Sequence, residues 1–157
     1  MLPIRKIICP TDFSEPSREG FRNARLLAGH FGAQLLLVHV TAPVPITPVG
    51  HGATSFNVAE YNQEMEKNAQ VRLNEFVNQE DLEIQVATTG LVYEGDPAEK
   101  IIIAAEDHAA DLIVMATHGH SGWSNLITGS VTEKVIRTAT RPVLTVQAPA
   151  AKAEDEL

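Results

Sequence analysis

A glycine-rich stretch between two apolar runs near the C-terminus carries the residues best suited to bind an anion. It contains Gly119, Gly122 and Gly129 and continues into Ser130 and Thr132, whose hydroxyl and main-chain N–H groups can donate hydrogen bonds. Glycines let the main chain approach a ligand closely, and a helix N-terminus carries partial positive charge. The stretch predicts a phosphate site. On local features alone, the glycines could instead be turn residues and the hydroxyls helix caps.

A second candidate, Asp12, lies in the segment Pro10-Thr11-Asp12, directly after the first apolar run. Its carboxylate can accept hydrogen bonds from a ribose hydroxyl or an adenine amine, but the same residue type also caps turns and helices. The local sequence does not decide between these two roles. Beside a glycine loop, we interpret Asp12 as a ligand contact.

Other kinds of chemistry are disfavoured by the spacing of the residues. A GxSxG nucleophile elbow would need glycine where Trp123 stands, and no histidine follows His120. The six histidines form no HExxH-like metal pattern. His118 is a candidate ligand neighbour, and His39, inside a predicted strand, is interpreted as a core residue or one that supports the site from behind. Because no acid–base pair is evident, we expect no catalytic residues.

Apolar runs alternate with helical patterns along the chain, which predicts an α/β fold with one open parallel sheet and helices on both faces. In such sheets ligands bind outside the carboxyl ends of the strands, which places Asp12 near Met115 and the glycine loop. Predicted strands cover residues 4–9, 34–40, 82–92, 112–115 and 143–146. Predicted helices cover residues 16–31, 60–78 and 130–138, and a further one starts at residue 97.

Local signals predict where the helices begin and end. Ser14 and Asp96 are expected N-caps, with Pro97 at the first position of its helix, and Gly32 is an expected C-terminal stop. The segment from Ser130 to Glu133 resembles a capping box. Residues 41–58, rich in proline and glycine, are interpreted as a long loop of functional type.

Length and composition limit the class of protein. The chain has 157 residues, 44% of them apolar and 5% aromatic, with a net charge of -8. We expect one domain at residues 1–147 and an acidic flexible tail at 148–157. The negative charge argues against nucleic acid or an anionic membrane as a partner. Cys9, the single cysteine, is expected to be buried. No signal peptide or membrane-spanning run is present, so the expected compartment is the cytoplasm.

Both ends of this pattern resemble the universal stress protein family, over residues 4–146. The resemblance is carried by IICPTDFSEPS, by EGDPAEKIIIAAEDHAADLIVM and by ADLIVMATHGHSGWSNLITGSVTEKVIRTATRPVLTV. The family's ATP-binding pattern is Gly-x2-Gly-x9-Gly-[Ser/Thr]. Gly119, Gly129 and Ser130 match its later positions, whereas Ala116 stands at the first glycine. An alanine there is tolerated if its φ is negative and strained otherwise.

The resemblance implies a Rossmann-like sheet of strand order 3-2-1-4-5 and a nucleotide site. Asp12 would contact the adenosine, and a divalent cation such as Mg would be held mainly by phosphate oxygens. The implied pocket residues are Pro10, Thr11, Val40, Met115 and Ala116 around the nucleoside, and Gly119, Gly129, Ser130, Val131 and Thr132 around the phosphates. Family members commonly form a homodimer through the last strand, which here begins at Pro142 and ends at Val146.

Three functions are compatible with these features. The favoured one is a dimeric, ATP-binding regulatory module of the stress response that is not an enzyme and acts through an unknown protein partner. A nucleotide-free member that acts by protein contacts alone is the first alternative, supported by Ala116. The second is a slow ATPase or adenylyl transferase, against which the missing general base argues.

Overall fold

The computed structural model describes residues 3–43, 57–79, 85–117 and 129–147, which form five strands and four helices. The predicted tail and most of the predicted 41–58 loop lie outside these residues. The elements, in chain order, are β1 (Lys6–Pro10), α1 (Glu15–Phe31), β2 (Gln34–Thr41), α2 (Val58–Asn78), β3 (Thr88–Glu94), α3 (Pro97–Asp107), β4 (Leu112–Ala116), α4 (Ser130–Thr138) and β5 (Val143–Val146).

The five strands form one parallel sheet of order β3-β2-β1-β4-β5, as the family resemblance implied. β1 lies at the centre, with Ile8 aligned to Leu36 of β2 and to Ile113 of β4. β2 and β3 lie on one side of β1, and β4 and β5 lie on the other, so the strand order reverses between β1 and β4. The carboxyl ends of these two strands therefore border the crevice where ligands of such sheets bind.

Helices cover both faces of the sheet, as predicted. On one face Phe21 of α1 and Leu73 of α2 pack against the strands. On the other face Ile101 of α3 and Val135 of α4 do so. The buried parts of the central strands, residues 7–9, 35–38 and 113–116, are consequently apolar, as expected of strands covered on both sides. Cys9 lies in the first of these layers and is fully buried, which raises the pKa of its thiol to about 12.

The local signals for helix ends are confirmed with one exception. The side chain of Ser14 accepts a hydrogen bond from Ser17 N, and that of Asp96 accepts one from Glu99 N. Gly32 adopts the left-handed conformation, at φ 64°, and its N–H donates to Ala28 O. The exception is the capping box at Ser130, because the N-cap of α4 is Gly129.

Strand boundaries depart from the predictions where a neighbouring strand sets them. The third strand was predicted over residues 82–92, of which 82–84 lie outside the described residues. β3 is found at Thr88–Glu94, because its hydrogen bonds can form only alongside β2. Leu35 pairs with Thr88 and Thr41 with Glu94, so the extent of β2 fixes both ends of β3. β1 runs through Pro10 rather than ending before it. The next N–H, that of Thr11, donates to Val38 O and continues the pairing.

The apolar side chains of α2 are only partly buried. Phe76 and Ala69 are in the core, but Tyr61, Met65 and Val71 are exposed. The helix packs on the sheet through its second half, and periodicity alone does not indicate where a helix meets the sheet. Among the described helices, none combines the length and the apolar character required to cross a bilayer.

Candidate functional site

A cavity of about 310 Å³ opens at the carboxyl ends of β1, β2 and β4, beside the first turns of α3 and α4. Ten of the twelve residues expected at a ligand site line it, namely Pro10, Thr11, Asp12, Val40, Met115, Ala116, Gly129, Ser130, Val131 and Thr132. The other two, His118 and Gly119, lie outside the described residues. Residues more than a hundred positions apart in the sequence thus meet around one cavity.

One part of the cavity wall is apolar. Val38, Val40 and Met115 reach it from the ends of β2 and β4, and Ile101 reaches it from α3. Val38 is fully buried and Met115 is 4% exposed, so these side chains hold fixed positions. A flat aromatic ring would find there an apolar surface of the kind that typically encloses the body of a small ligand.

Asp12 both stabilises the turn before α1 and lines the cavity. Its Oδ1 accepts hydrogen bonds from Ser14 N, at 3.0 Å, and from the Ser14 hydroxyl. The Ser14 hydroxyl oxygen in turn accepts one from Ser17 N at the start of α1. The carboxylate is therefore anchored to the first turn of α1, and it borders the cavity at the same time.

The loop that carries Asp12 is held by a closed set of hydrogen bonds. The hydroxyl oxygen of Thr11 accepts a hydrogen bond from Phe13 N at 3.0 Å and lies 3.0 Å from the Ser17 hydroxyl. Ser17 donates to Ser14 O at 2.9 Å. Phe13 adopts φ 66°, a left-handed conformation that is uncommon for a large non-glycine residue. Such a conformation persists only where the surroundings determine it, as they do here.

The N-terminus of α4 faces the cavity without a side-chain cap. Gly129 is the N-cap residue, and its own N–H donates to Thr117 O. The N–H groups of the first helical turn have no acceptors within the helix, and here they belong to residues that line the cavity, Ser130, Val131 and Thr132. Main-chain donors and the positive end of a helix make this the part of the cavity suited to an anion.

Thr132 contributes differently from what its hydroxyl suggested. The side chain is 4% exposed, and its hydroxyl donates to Ala116 O at 2.9 Å. Because phosphate oxygens accept rather than donate hydrogen bonds, this hydroxyl proton is committed to the protein. The main-chain N–H of Thr132 is therefore the group that remains suited to a phosphate.

Ala116, at the position of the expected first glycine, is unstrained. Among the described non-glycine residues, positive φ values occur at Phe13 and Ala109, so Ala116 meets the condition set for an alanine there. A β-carbon built on Gly20 of α1 would lie 3.1 Å from Ala116 N and 3.6 Å from Ala116 Cβ. The absence of a side chain at Gly20 thus lets α1 cross close to the end of β4.

Five residues that border the cavity were not among the predicted ligand contacts: Ser17, Val38, His39, Pro97 and Ile101. Pro97 could have been found, since it was predicted at the start of a helix that follows a strand end. The other four could not be predicted from the sequence, because their positions at the cavity depend on how the strands and helices pack together. His39 was expected in the core or behind the site, but it reaches the cavity wall.

Burial is the main cause that lowers the pKa of His39. Arg72 on α2 lowers this pKa further, whereas the hydrogen bond to Thr11 and the charge of Asp12 raise it. His39 is therefore neutral at neutral pH. Within the described ranges, no group of three or more histidine, cysteine, aspartate or glutamate residues could hold a metal ion.

The chain matches known proteins over nearly its whole length. A model described as the universal stress protein family matches residues 3–147. Universal stress protein MJ0531 of Methanocaldococcus jannaschii is 33% identical over 145 residues, which cover 92% of this chain and 83% of that protein.

Solved structures agree with this match. The structure of MJ0577, a universal stress protein from the same organism, has a TM-score of 0.73 at 26% identity and covers 96% of this chain and 100% of its own. A universal stress protein solved in complex with cAMP has a TM-score of 0.66 at 19% identity and covers 94% of this chain and 100% of its own. The family match, the sheet order and the position of the cavity lead to one conclusion: the chain belongs to the universal stress protein family.

Proposed function

We propose that this protein binds ATP in the cavity at the sheet edge and acts as a nucleotide-dependent regulatory module of the stress response, without turning the nucleotide over. The observation that carries the proposal is the pairing, in one cavity, of an α4 N-terminus that has no side-chain cap with the carboxylate of Asp12. The first suits phosphate groups and the second suits the hydroxyl or amine donors of a nucleoside.

The nucleoside would occupy the apolar part of the cavity. Val40 and Met115 would contact the base, and Asp12 would accept a hydrogen bond from the ribose or the adenine amine. The cavity volume of about 310 Å³ is near the lower end of the range for small-molecule sites, so phosphates would extend toward its opening. The relative solved with cAMP supports an adenine nucleotide as the ligand class.

The phosphates would lie at the first turn of α4. The N–H groups of Ser130, Val131 and Thr132 would donate to phosphate oxygens, and Gly129 would leave room for them. A Mg²⁺ ion bound with the nucleotide would neutralise part of the phosphate charge and be held mainly by phosphate oxygens. The residues present fit this ligand because main-chain donors bind phosphate without any basic side chain.

A binding role is favoured over an enzymatic one by the engagement of the polar groups at the cavity. Asp12 Oδ1 is held by Ser14, and His39 Nδ1 lies 2.9 Å from Thr11 O. The hydroxyl groups of Ser17 and Thr132 donate to main-chain carbonyl oxygens, so neither side chain is poised as a nucleophile that a base could activate. Steady hydrolysis of ATP well above about one turnover per minute would contradict this part of the proposal.

We further propose a homodimer through β5. This strand lies at the edge of the sheet, and Leu144 on it and Ile136 on α4 are 41% and 50% exposed. An apolar edge strand is normally covered in a stable protein. In analytical ultracentrifugation, Leu144→Asp should give a monomer, whereas Val71→Asp, at a similarly exposed apolar residue on α2, should leave the dimer intact. A monomeric parent protein would rule the dimer out.

The direct test of nucleotide binding is the thermal unfolding of nucleotide-free protein with and without Mg-ATP. A ligand at about a hundred times its dissociation constant stabilises a protein by about 2.7 kcal/mol. For a chain of this size the midpoint should rise by about 5 °C or more. A rise with ATP and none with GTP is the expected result. No rise at millimolar ATP would favour the nucleotide-free alternative, a module that acts through protein contacts.

A further inference from the structure

The imidazole of His39 contacts the residues on both sides of Asp12. Its Nδ1 lies 2.9 Å from the carbonyl oxygen of Thr11, which precedes Asp12. Its ring centroid lies 4.4 Å from that of Phe13, which follows Asp12, with the two planes at 41°. One side chain from β2 therefore holds both flanks of a carboxylate that borders the cavity.

The contact with Thr11 determines which ring nitrogen of His39 carries a hydrogen. A carbonyl oxygen only accepts hydrogen bonds, so Nδ1 of His39 must carry the hydrogen. In the neutral ring, Nε2 is then the acceptor. The main chain of Thr11 is also tied to β2, because Thr11 N donates to the carbonyl oxygen of Val38, the residue before His39, at 2.8 Å. The His39 hydrogen bond is thus a second tie between β2 and the loop.

The contact with Phe13 supports a strained backbone. Phe13 holds φ 66°, and its ring meets three side chains: His39, Phe76 at a centroid distance of 5.7 Å, and Arg72, whose guanidinium carbon lies 4.2 Å from the ring centroid. Left-handed backbone at a residue of this type is retained only where packing favours it. His39 is the one of these three partners that also lines the cavity.

We propose that His39 is a positioning residue for Asp12, and that it sets the affinity for the adenine nucleotide by holding Thr11 and Phe13 in place. The part that concerns affinity rests on the proposed nucleotide site. The part that concerns the geometry of Asp12 does not, because the Asp12 carboxylate has its own reporter in the ligand-free protein, the hydrogen bond from Ser14 N at 3.0 Å.

Two substitutions separate the hydrogen bond from the bulk of the ring. His39→Leu removes the donor and leaves the buried Thr11 oxygen without it, whereas the amide nitrogen of His39→Asn can occupy the place of Nδ1. We expect His39→Leu to weaken ATP binding by about five- to tenfold, and His39→Asn to retain most of the affinity. Far-UV circular dichroism and the unfolding midpoint of each variant establish that it is folded.

A double-mutant cycle shows whether the effect passes through Asp12. In the Asp12→Ala background, His39→Leu should change ATP affinity by less than about twofold, because the carboxylate to be positioned is gone. An equal loss in both backgrounds would mean that His39 acts on the ligand directly or on the fold as a whole. Either would overturn the positioning role.

The ligand-free readout is hydrogen exchange at the Ser14 amide, followed by NMR. Ser14 is 5% exposed, so its protection reports the hydrogen bond to Asp12. Exchange at this amide should accelerate in His39→Leu and stay close to the parent in His39→Asn, with amides in the middle of α3 unchanged in both. Unchanged exchange in His39→Leu would overturn the proposal. If the parent protein binds no nucleotide, the proposed function fails, and this measurement still decides the role of His39.

Discussion

The hydroxyl of Thr132 donates to the carbonyl oxygen of Ala116 at 2.9 Å, which ties the first turn of α4 to the last residue of β4. Both residues are buried, and both line the cavity. Because the glycine-rich segment lies between Ala116 and Thr132 in the chain, this hydrogen bond holds the two flanks of that segment at a fixed distance. A side chain expected to bind ligand thus supports the frame in which the ligand would be held.

Thr132→Val should therefore lower stability. Valine has nearly the shape of threonine but leaves the buried Ala116 oxygen without its donor, at a cost of about 1–3 kcal/mol in the free energy of unfolding. Urea unfolding of the parent, Thr132→Val and Thr132→Ser measures this, since serine keeps the hydroxyl. Equal stability of the valine and serine variants would show that the hydrogen bond does not support the fold.

Gly20 should resist substitution even by alanine. Alanine is about 1 kcal/mol better than glycine inside a helix, yet its β-carbon would lie 3.1 Å from Ala116 N. We expect the crowding to win, because the main-chain nitrogen of a central strand cannot move away. Thermal unfolding should show a lower midpoint for Gly20→Ala. The pair Gly20→Ala with Ala116→Gly should not recover it, and full recovery would mean that the methyl groups, not the main chain, collide.

Signals within a few residues of one another made much of the fold predictable. Ser14, Gly32 and Asp96 act on the main chain next to them, so their cap roles could be predicted without knowledge of the tertiary structure. The alternation of apolar strands and helices likewise indicated a parallel sheet with its ligand site at the strand ends. Strand order came from the family resemblance, since periodicity does not specify which strands are neighbours.

Features that depend on pairing across the sheet were not predictable. The start of β3 is set by β2, and the role of His39 depends on the register that brings Val38 beside Thr11. The partner of the Thr132 hydroxyl lies 16 residues earlier in the chain. These contacts join elements whose relative positions the sequence pattern leaves open.

Gly129→Val should block the phosphate end of the site and leave the fold intact. Gly129 has φ -64° and ψ 153°, a conformation that any residue adopts, so the change introduces no backbone strain. A branched side chain at the N-cap would occupy the approach to the first turn of α4. The rise in unfolding midpoint produced by Mg-ATP should disappear for valine and persist in part for Gly129→Ala. A full rise with the valine variant would show that the loop does not hold the phosphates.

Asp12→Ala should weaken ATP binding by about 1–3 kcal/mol, as expected for the loss of a hydrogen bond to the nucleoside. Isothermal titration calorimetry measures the change directly. Ser14→Ala is the matched control, because it removes the hydroxyl that donates to Asp12 Oδ1 while it keeps the main-chain N–H donor and the carboxylate. If Asp12→Ala binds ATP like the parent protein, the carboxylate serves only to hold Ser14, the N-cap residue of α1.

His39 should make the folded state weaker in mild acid. Burial lowers the pKa of His39, with Arg72 acting in the same direction, and the Thr11 carbonyl and Asp12 acting against it. The unfolded chain, with a histidine pKa of about 6.5, then binds more protons than the folded one below that pH. The contribution of neutral His39 to the free energy of unfolding is complete above about pH 6.5 and is lost as the pH falls toward the pKa of His39 in the folded protein. Between about pH 7.5 and about pH 5.5, urea unfolding should show a larger loss of stability for the parent than for His39→Asn. An equal loss in both proteins would mean that protonation of His39 does not weaken the fold.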